Sequence, residues 1–244
     1  MLPEHKGSRE MYDYIADWVA PPGKDAAGKE IPASATFFYS KNDVWHRFGM
    51  LGVFGDYVLS STQGDVLEIG CGESSIYLTA IAQKYSRRIY HCDAAPSKIL
   101  NPLSIPGCFG ADHVYFEEKD PTPDNLARCV LFAGPSDELF KRGIVWTQLA
   151  LAFIDGDHIY EQARKDFDHI VPLVVDNGFI ILHDTYPPDE EHLSEHRCGG
   201  VYRLRQEIEA SGKFDVMTLT RGAAMGVGLT ICRKKPAQVP YYQQ

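Results

Sequence analysis

Two groups of acids and histidines end apolar runs in this chain: Phe153-Ile154-Asp155-Gly156-Asp157-His158 and Leu182-His183-Asp184-Thr185. The carboxyl ends of parallel strands share one edge of a sheet, so these segments, distant in sequence, should face one pocket. Carboxylates and imidazoles so placed can take up and release protons near neutral pH. Charged groups this close to buried strands need partners, and for Asp157 a role at a helix N-terminus is the simpler account.

A third feature suits a bound ligand rather than proton chemistry. The run Asp65-Val66-Leu67-Glu68-Ile69 ends in Gly70-Cys71-Gly72, after which Ser74 or Ser75 offers an N-cap for a helix through Tyr85. Gly70 and Gly72 leave the backbone bare for close approach, and the helix start presents N–H groups to a carboxylate such as that of an amino-acid tail. Asp93, about twenty residues beyond the glycines, is placed to accept hydroxyl protons from a ribose. Dinucleotide-binding folds share this spacing. Here, however, the third glycine is missing, Glu73 would bring negative charge toward a pyrophosphate, and Glu68 suits the ammonium of a zwitterionic ligand.

The positioning elements follow from periodicity. Arg88–Asp93 reads as a strand ending in an acid, and Leu149–Ile154 and Phe179–Leu182 as strands buried on both faces. Tyr160, Ala163, Phe167, Ile170 and Val174 form one apolar helical stripe, which Asn177-Gly178 should end. Arg128–Phe132 is placed as the third core strand, since the turn Gly134-Pro135-Ser136-Asp137 follows it; Val114-Tyr115-Phe116 is the rival placement. Val201, Leu204 and Ile208 mark a later helix, and Phe214–Thr220 with Gly226–Cys232 suit an antiparallel hairpin. The fold class expected is α/β: a doubly wound, mainly parallel, seven-stranded Rossmann-like sheet with an antiparallel edge hairpin and an N-terminal helical cap. The cap is assigned to residues 1–60, the ligand-binding domain to 61–235 and a tail to 236–244. Stripes at Met11–Val19 and Trp45–Leu59 suit that cap or a contact between copies in a homo-oligomer.

With these residues in place, the chain resembles the class I S-adenosylmethionine (SAM)-dependent methyltransferases over roughly Gly64 to Arg233. Their acid-x-Gly-x-Gly turn is matched by Glu68, Gly70 and Gly72. The wording from Ile154-Asp155-Gly156-Asp157-His158 to Gly178-Phe179-Ile180-Ile181-Leu182-His183-Asp184-Thr185 is similar to a bacterial subgroup that methylates small-molecule or sugar hydroxyls, related to catechol O-methyltransferase-like enzymes. The resemblance implies SAM as cofactor, bound by Glu68, Gly70, Cys71, Gly72, Ser74, Ser75, Asp93, Gly134, Ser136 and Asp155. It also implies a small-molecule acceptor, most simply a hydroxyl. In such relatives an acid at Asp155 and a pair at His183-Asp184 hold a divalent cation. The histidine departs from their usual acid or amide, which makes Mn²⁺ or Fe²⁺ more acceptable than Mg²⁺. A hydroxyl acceptor must lose its proton, so His158, or Asp155 without a metal, is the candidate general base. The catechol enzyme has lysine where this chain has His158. N- or C-methylation, a nicotinamide-dependent dehydrogenase and a non-catalytic SAM-binding module are the alternatives.

Charge narrows the partners. Lys and Arg number 24 against 33 Asp and Glu, a net charge of −9, the wrong sign for a general phosphate-backbone binder. The start lacks a signal-peptide core, and the longest uncharged apolar stretch, Leu149–Ile154, is too short for a bilayer, so a cytoplasmic protein with no membrane partner is expected. Six cysteines without a C-x-x-C pair read as reduced thiols. The acidic loop Tyr186–Arg197 follows the second acid-histidine group, where a substrate lid would lie; the simpler reading is a solvated loop whose His192 and His196 bind nothing.

Overall fold

The computed structural model describes residues 49–95, 113–116, 128–220 and 227–236. Helix α1 (Gly49–Ser61) precedes β1 (Asp65–Ile69), α2 (Ser74–Lys84) and β2 (Ile89–Asp93). Then come β3 (His113–Phe116), β4 (Cys129–Ala133), α3 (Ser136–Lys141), β5 (Leu149–Ile154), α4 (Tyr160–Ile170) and β6 (Val174–His183). A 3-10 turn (Glu191–Leu193) and a π-helical turn (Glu195–Gly199) lead into α5 (Gly200–Ser211), and the hairpin β7 (Phe214–Leu219) and β8 (Leu229–Lys234) follows.

The strands form one sheet in the order β3-β4-β2-β1-β5-β6-β8-β7, parallel except for β8, which pairs antiparallel with both β6 and β7. The seven expected strands are all there, with β4 third in the core. The rival segment at Val114 also forms a strand, β3, added outside β4 at the edge. β1, β2, β4 and β5 are almost wholly buried, as apolar strands covered on both faces must be. Alternation sorts their side chains into two layers. Val66, Leu131, Phe153 and Ile181 pack with Leu51, Val58, Leu78 and Ile81 of α1 and α2, while Leu67, Tyr90, Phe132 and Ile154 pack with Leu139, Phe167, Ile170 and Leu204 of α3, α4 and α5.

Register decides where the loops emerge. Ile69 is level with Cys92 and with Ile154, Asp93 with Ala133, and Ile154 with Leu182. The turns starting at Gly70, Gly134, Asp155 and His183 therefore leave the sheet along one edge, with Asp93 at their level.

Two helix boundaries differ from expectation: α2 begins at Ser74 with Glu73, not Ser74 or Ser75, at its N-cap, because both serine hydroxyls are turned to Glu68. α4 ends at Ile170, and Val174 opens β6 opposite Leu149 instead of closing the helix. Pro172 has no N–H to extend the helical ladder, so the chain turns early. Asn177, with φ of 62°, and Gly178 then fall inside β6, where the pairing with β5 shifts register.

Of the expected N-terminal cap, α1 is described and the Met11–Val19 stripe lies outside the described residues, as does the tail beyond Pro236. Five cysteines are free and buried; Cys108 is outside the described residues. No helix among the described residues is long and apolar enough to cross a membrane.

Candidate active site

The glycine turn after β1 is built from beneath by a buried polar group. Glu68 is fully buried, facing α2, and its carboxylate accepts hydrogen bonds from Ser74 Oγ at 2.5 Å and Ser75 Oγ at 2.7 Å. On the neighbouring strand, His91 occupies the same level and meets Glu68 through Nδ1 at 2.5 Å, while its Nε2 lies 3.1 Å from Thr79 Oγ1. A carboxylate out of water is tolerable only with such partners. The side chains of Glu68, Ser74 and Ser75 thus point into the interior, and they hold the turn in shape from below.

The turn's own N–H groups are also engaged. Gly70 N donates to Cys92 O at 2.8 Å, Cys71 N to Asp93 Oδ2 at 2.8 Å, and Gly72 N to Ser75 Oγ at 3.1 Å. Asp93 further accepts from Ala95 N at 2.7 Å. The two glycines are required for different reasons. Gly70 has φ of 86°, and a Cβ there would overlap the carbonyl oxygen of Asp155; a Cβ on Gly72 would meet nothing within 4 Å. Position 72 borders open space. Burial pushes the Cys71 thiol well above its ordinary pKa, which makes it a packing group here.

Beside the cradle, the ends of β5 and β6 bring four titratable side chains together. His158 Nε2 lies 2.9 Å from Asp184 Oδ2 and 3.7 Å from Asp155 Oδ1. His183 Nδ1 lies 3.2 Å from Asp155 Oδ1 and 3.1 Å from Asp184 Oδ2. The donor atoms of Asp155, His158 and Asp184 all fall within 4.8 Å of one another, a spacing a metal ion can span. Asp184 is held at φ of 56°, a left-handed conformation uncommon outside glycine, and its Oδ1 is 4.0 Å from Cys198 Sγ on the π-helical turn. A Cβ on Gly200, at the start of α5, would overlap the His158 carbonyl oxygen, so the bare backbone there lets α5 brace the β5–α4 loop.

Mutual pairing sets the charges. Hydrogen bonding to Asp155 and Asp184 pushes His158 up to about 10 against the opposing effect of burial. Burial pulls His183 down, but the same two carboxylates outweigh it and raise it to about 10. Burial likewise works to raise Asp155 and Asp184, and hydrogen bonds from both imidazoles hold the first below and the second well below the usual carboxylate range. Two carboxylates therefore face two imidazolium groups, and neither histidine can accept a proton until its own is displaced.

A third polar group joins the α3 turn to α4. Ser136 Oγ donates to Asp166 Oδ1 at 2.6 Å, and Gln162 Nε2 reaches both. Asp166 Oδ2 is buried without a hydrogen-bond partner, and burial raises its pKa to about 6.

Residues 67–185 match a family model described as a methyltransferase domain. Solved structures of similar shape include an O-methyltransferase from Bacillus cereus in complex with SAH, 17% identical with a TM-score of 0.55, covering 96% of this chain and 93% of that one. A SAH-bound methyltransferase from Podospora anserina is 16% identical with a TM-score of 0.54, covering 97% and 99%. The O-methyltransferase of tomaymycin synthesis from Streptomyces achromogenes, in complex with SAM, is 10% identical with a TM-score of 0.53, covering 97% and 92%. This is the fold of the class I SAM-dependent methyltransferases.

Within that methyltransferase fold, the sequence-derived candidates divide by where their side chains go. Asp155, His158, His183 and Asp184 come together, and Gly70, Cys71, Gly72 and Asp93 form the adjoining cradle. Gly134 follows β4 and donates to Asp93 O at 2.9 Å, while Ser136 turns toward Asp166. Asp157 makes a local turn, accepting from Ile159 N at 3.0 Å. In the 186–197 loop His192 pairs with Asp189 at 2.6 Å, and Arg197 with Glu191 at 2.7 Å. Sequence reasoning missed His91, Asp166 and Cys198. Asp166 had left a signal: it stands with Ala163, Phe167 and Ile170 on the buried stripe of α4, a core position held by an acid.

Proposed function

We propose that this protein transfers the methyl group of SAM to a hydroxyl of a small molecule. The observation that carries the reading is the contact of Gly70 with Asp155: the cofactor cradle and the Asp155–His158–His183–Asp184 cluster share one wall. A methyl donor in the cradle would lie beside a group of acids and bases, which is what an alcohol acceptor needs. Bound SAM would supply an electrophilic methyl carbon; as the acceptor oxygen bonded to it, the C–S bond would break to leave SAH, and the hydroxyl proton would pass to a base.

The chain's residues would serve as follows. The amino-acid tail lies along Gly70–Gly72, Asp93 accepts ribose hydroxyls, and Gly134 with Ser136 borders the nucleobase. Glu68, Ser74 and Ser75 keep the turn rigid, so positioning is established before the reaction. Asp155 and His158 stand on the acceptor side and are the candidates to receive the hydroxyl proton, His158 only once its own proton has been displaced. The donor set of two carboxylates beside two imidazoles fits a divalent cation, for which Asp155, His183 and Asp184 are the ligands suggested by resemblance. Such an ion would supply positive charge that lowers the hydroxyl's pKa. The O-methyltransferase names of the Bacillus and Streptomyces structures agree with this choice of acceptor.

Calorimetric titration with SAH and with NAD tests the cofactor, and transfer of labelled methyl from SAM to catechols, sugars, amines and thiols tests the acceptor. SAH should bind and NAD should not; at a hundredfold excess over its dissociation constant SAH would stabilise the fold by about 2.7 kcal/mol. Absence of SAH binding overturns the proposal, and label appearing only on nitrogen, sulfur or carbon overturns its O-directed part.

A further inference from the structure

We infer, resting on the SAM reading above, that Asp166 is a positioning residue for ligand selection. By taking the hydroxyl proton of Ser136 it fixes that serine as a hydrogen-bond acceptor, so the nucleobase end of the cradle selects a purine with a 6-amino group and turns away a 6-oxo purine. Half of a buried carboxylate lacks a partner here. Asp166 is 1% exposed, among the buried residues of α4, and its Oδ2 has no hydrogen-bond partner among the described residues. A polar oxygen left so in the interior is costly, and an apolar side chain would fill the place without that cost.

Two contacts place the acid between turns that build the cradle. Its Oδ2 stands 3.9 Å from where a Cβ on Gly156 would lie, and a Cβ on Gly70 would be 2.8 Å from Gly156 N. Its Oδ1 accepts from Ser136 Oγ at 2.6 Å, just beyond Gly134, whose N–H donates to Asp93 O. Ser136 is the more exposed of the two, 8% against 1%, so a ligand meets the serine and the acid acts through it. Gln162 decides which way the hydroxyl points. Its Nε2 lies 3.1 Å from Ser136 Oγ, 3.1 Å from Asp166 Oδ1 and 3.2 Å from Asp137 Oδ1, and beside two carboxylates only the nitrogen end of the amide is acceptable. The amide therefore donates to Ser136 and cannot take its proton, which leaves Asp166 as the acceptor. A serine oxygen that gives its proton to a carboxylate and receives one N–H has only a lone pair left to offer. Such an atom accepts from an amine and repels a carbonyl oxygen, and selectivity comes as much from that repulsion as from the bond.

The test compares three ligands by calorimetry with the full chain: SAH, its 6-oxo analogue (S-inosylhomocysteine) and its analogue with hydrogen at purine position 6. Wild type should bind SAH at least about thirtyfold more tightly than the 6-oxo analogue, with the 6-hydrogen analogue between them, since it loses a bond without meeting a repulsion. In Asp166→Ala the freed hydroxyl can turn and donate. The 6-oxo analogue should then bind more tightly than it does to wild type and overtake the 6-hydrogen one. Asp166→Leu, which keeps the buried volume, repeats the measurement should the alanine variant not fold. Asp166→Asn still offers Ser136 an oxygen and should keep the wild-type order, while Ser136→Ala should reduce the preference for SAH over the 6-oxo analogue to below about threefold. A merely structural Asp166 would weaken all three ligands together without changing their order, and that result overturns the inference. So does a wild type that binds SAH and the 6-oxo analogue equally, an outcome that leaves the methyl-transfer reading standing. Failure of wild type to bind any of the three overturns both.

Discussion

The backbone of Gly70 is pressed against the carbonyl oxygen of Asp155, so closely that a Cβ at position 70 would overlap that atom. The turn after β1 and the turn after β5 are thereby locked together. Gly70→Ala must move one of them and also place alanine at φ of 86°. We expect it to cost at least about 3 kcal/mol in urea unfolding. Gly72→Ala meets nothing within 4 Å and should fold with stability within about 1 kcal/mol of wild type. Its methyl group would occupy the cradle and reduce SAH affinity by at least about tenfold, roughly 1.4 kcal/mol. A Gly72→Ala protein that binds SAH normally would show that the ligand lies elsewhere.

Glu68 separates two roles for the acid of the glycine motif. If it supports the turn from within, Glu68→Gln sets an amide N–H against a hydrogen-bond donor and leaves His91, Ser74 or Ser75 unsatisfied. Stability should then fall by about 3 kcal/mol, with SAH affinity declining as the turn loosens. If the acid instead met the ligand's ammonium directly, the variant would keep its melting temperature and lose affinity alone. Denaturant titration run beside calorimetry distinguishes the two.

What could be read in the sequence was whatever depends on one segment at a time. Leu149–Ile154 is apolar at every position and Asp65–Ile69 runs straight into two glycines, so both strands and the edge where their loops emerge were legible. The pairing of Asp155 with His183 and Asp184 was foreseeable from strand ends alone, because register aligns Ile154 with Leu182. The direction of Glu68 was not, since it depends on His91 standing level with it across β1 and β2. The close approach of His158 to Asp184 likewise depends on how α5 braces the β5–α4 loop at Gly200, a contact between segments with no local signature.

Asp166 provides a pH signature independent of cofactor and metal. Its side chain is buried, Oδ2 lacks a hydrogen-bond partner, and its folded pKa is raised from 3.8 to about 6. Between those values the folded state holds a proton that the unfolded chain has released, so stability declines as pH rises. The stabilisation is complete below about pH 4 and gone above about pH 6, a difference of about 3 kcal/mol. Asp166→Asn keeps an acceptor for Ser136 and cannot ionise. The unfolding free energy of wild type minus that of the variant should therefore fall by about that amount from pH 4 to pH 7, other carboxylates cancelling in the subtraction. A difference that stays constant across this range would mean Asp166 ionises in the folded protein at its ordinary pKa, and that its unpartnered oxygen finds a donor in solution.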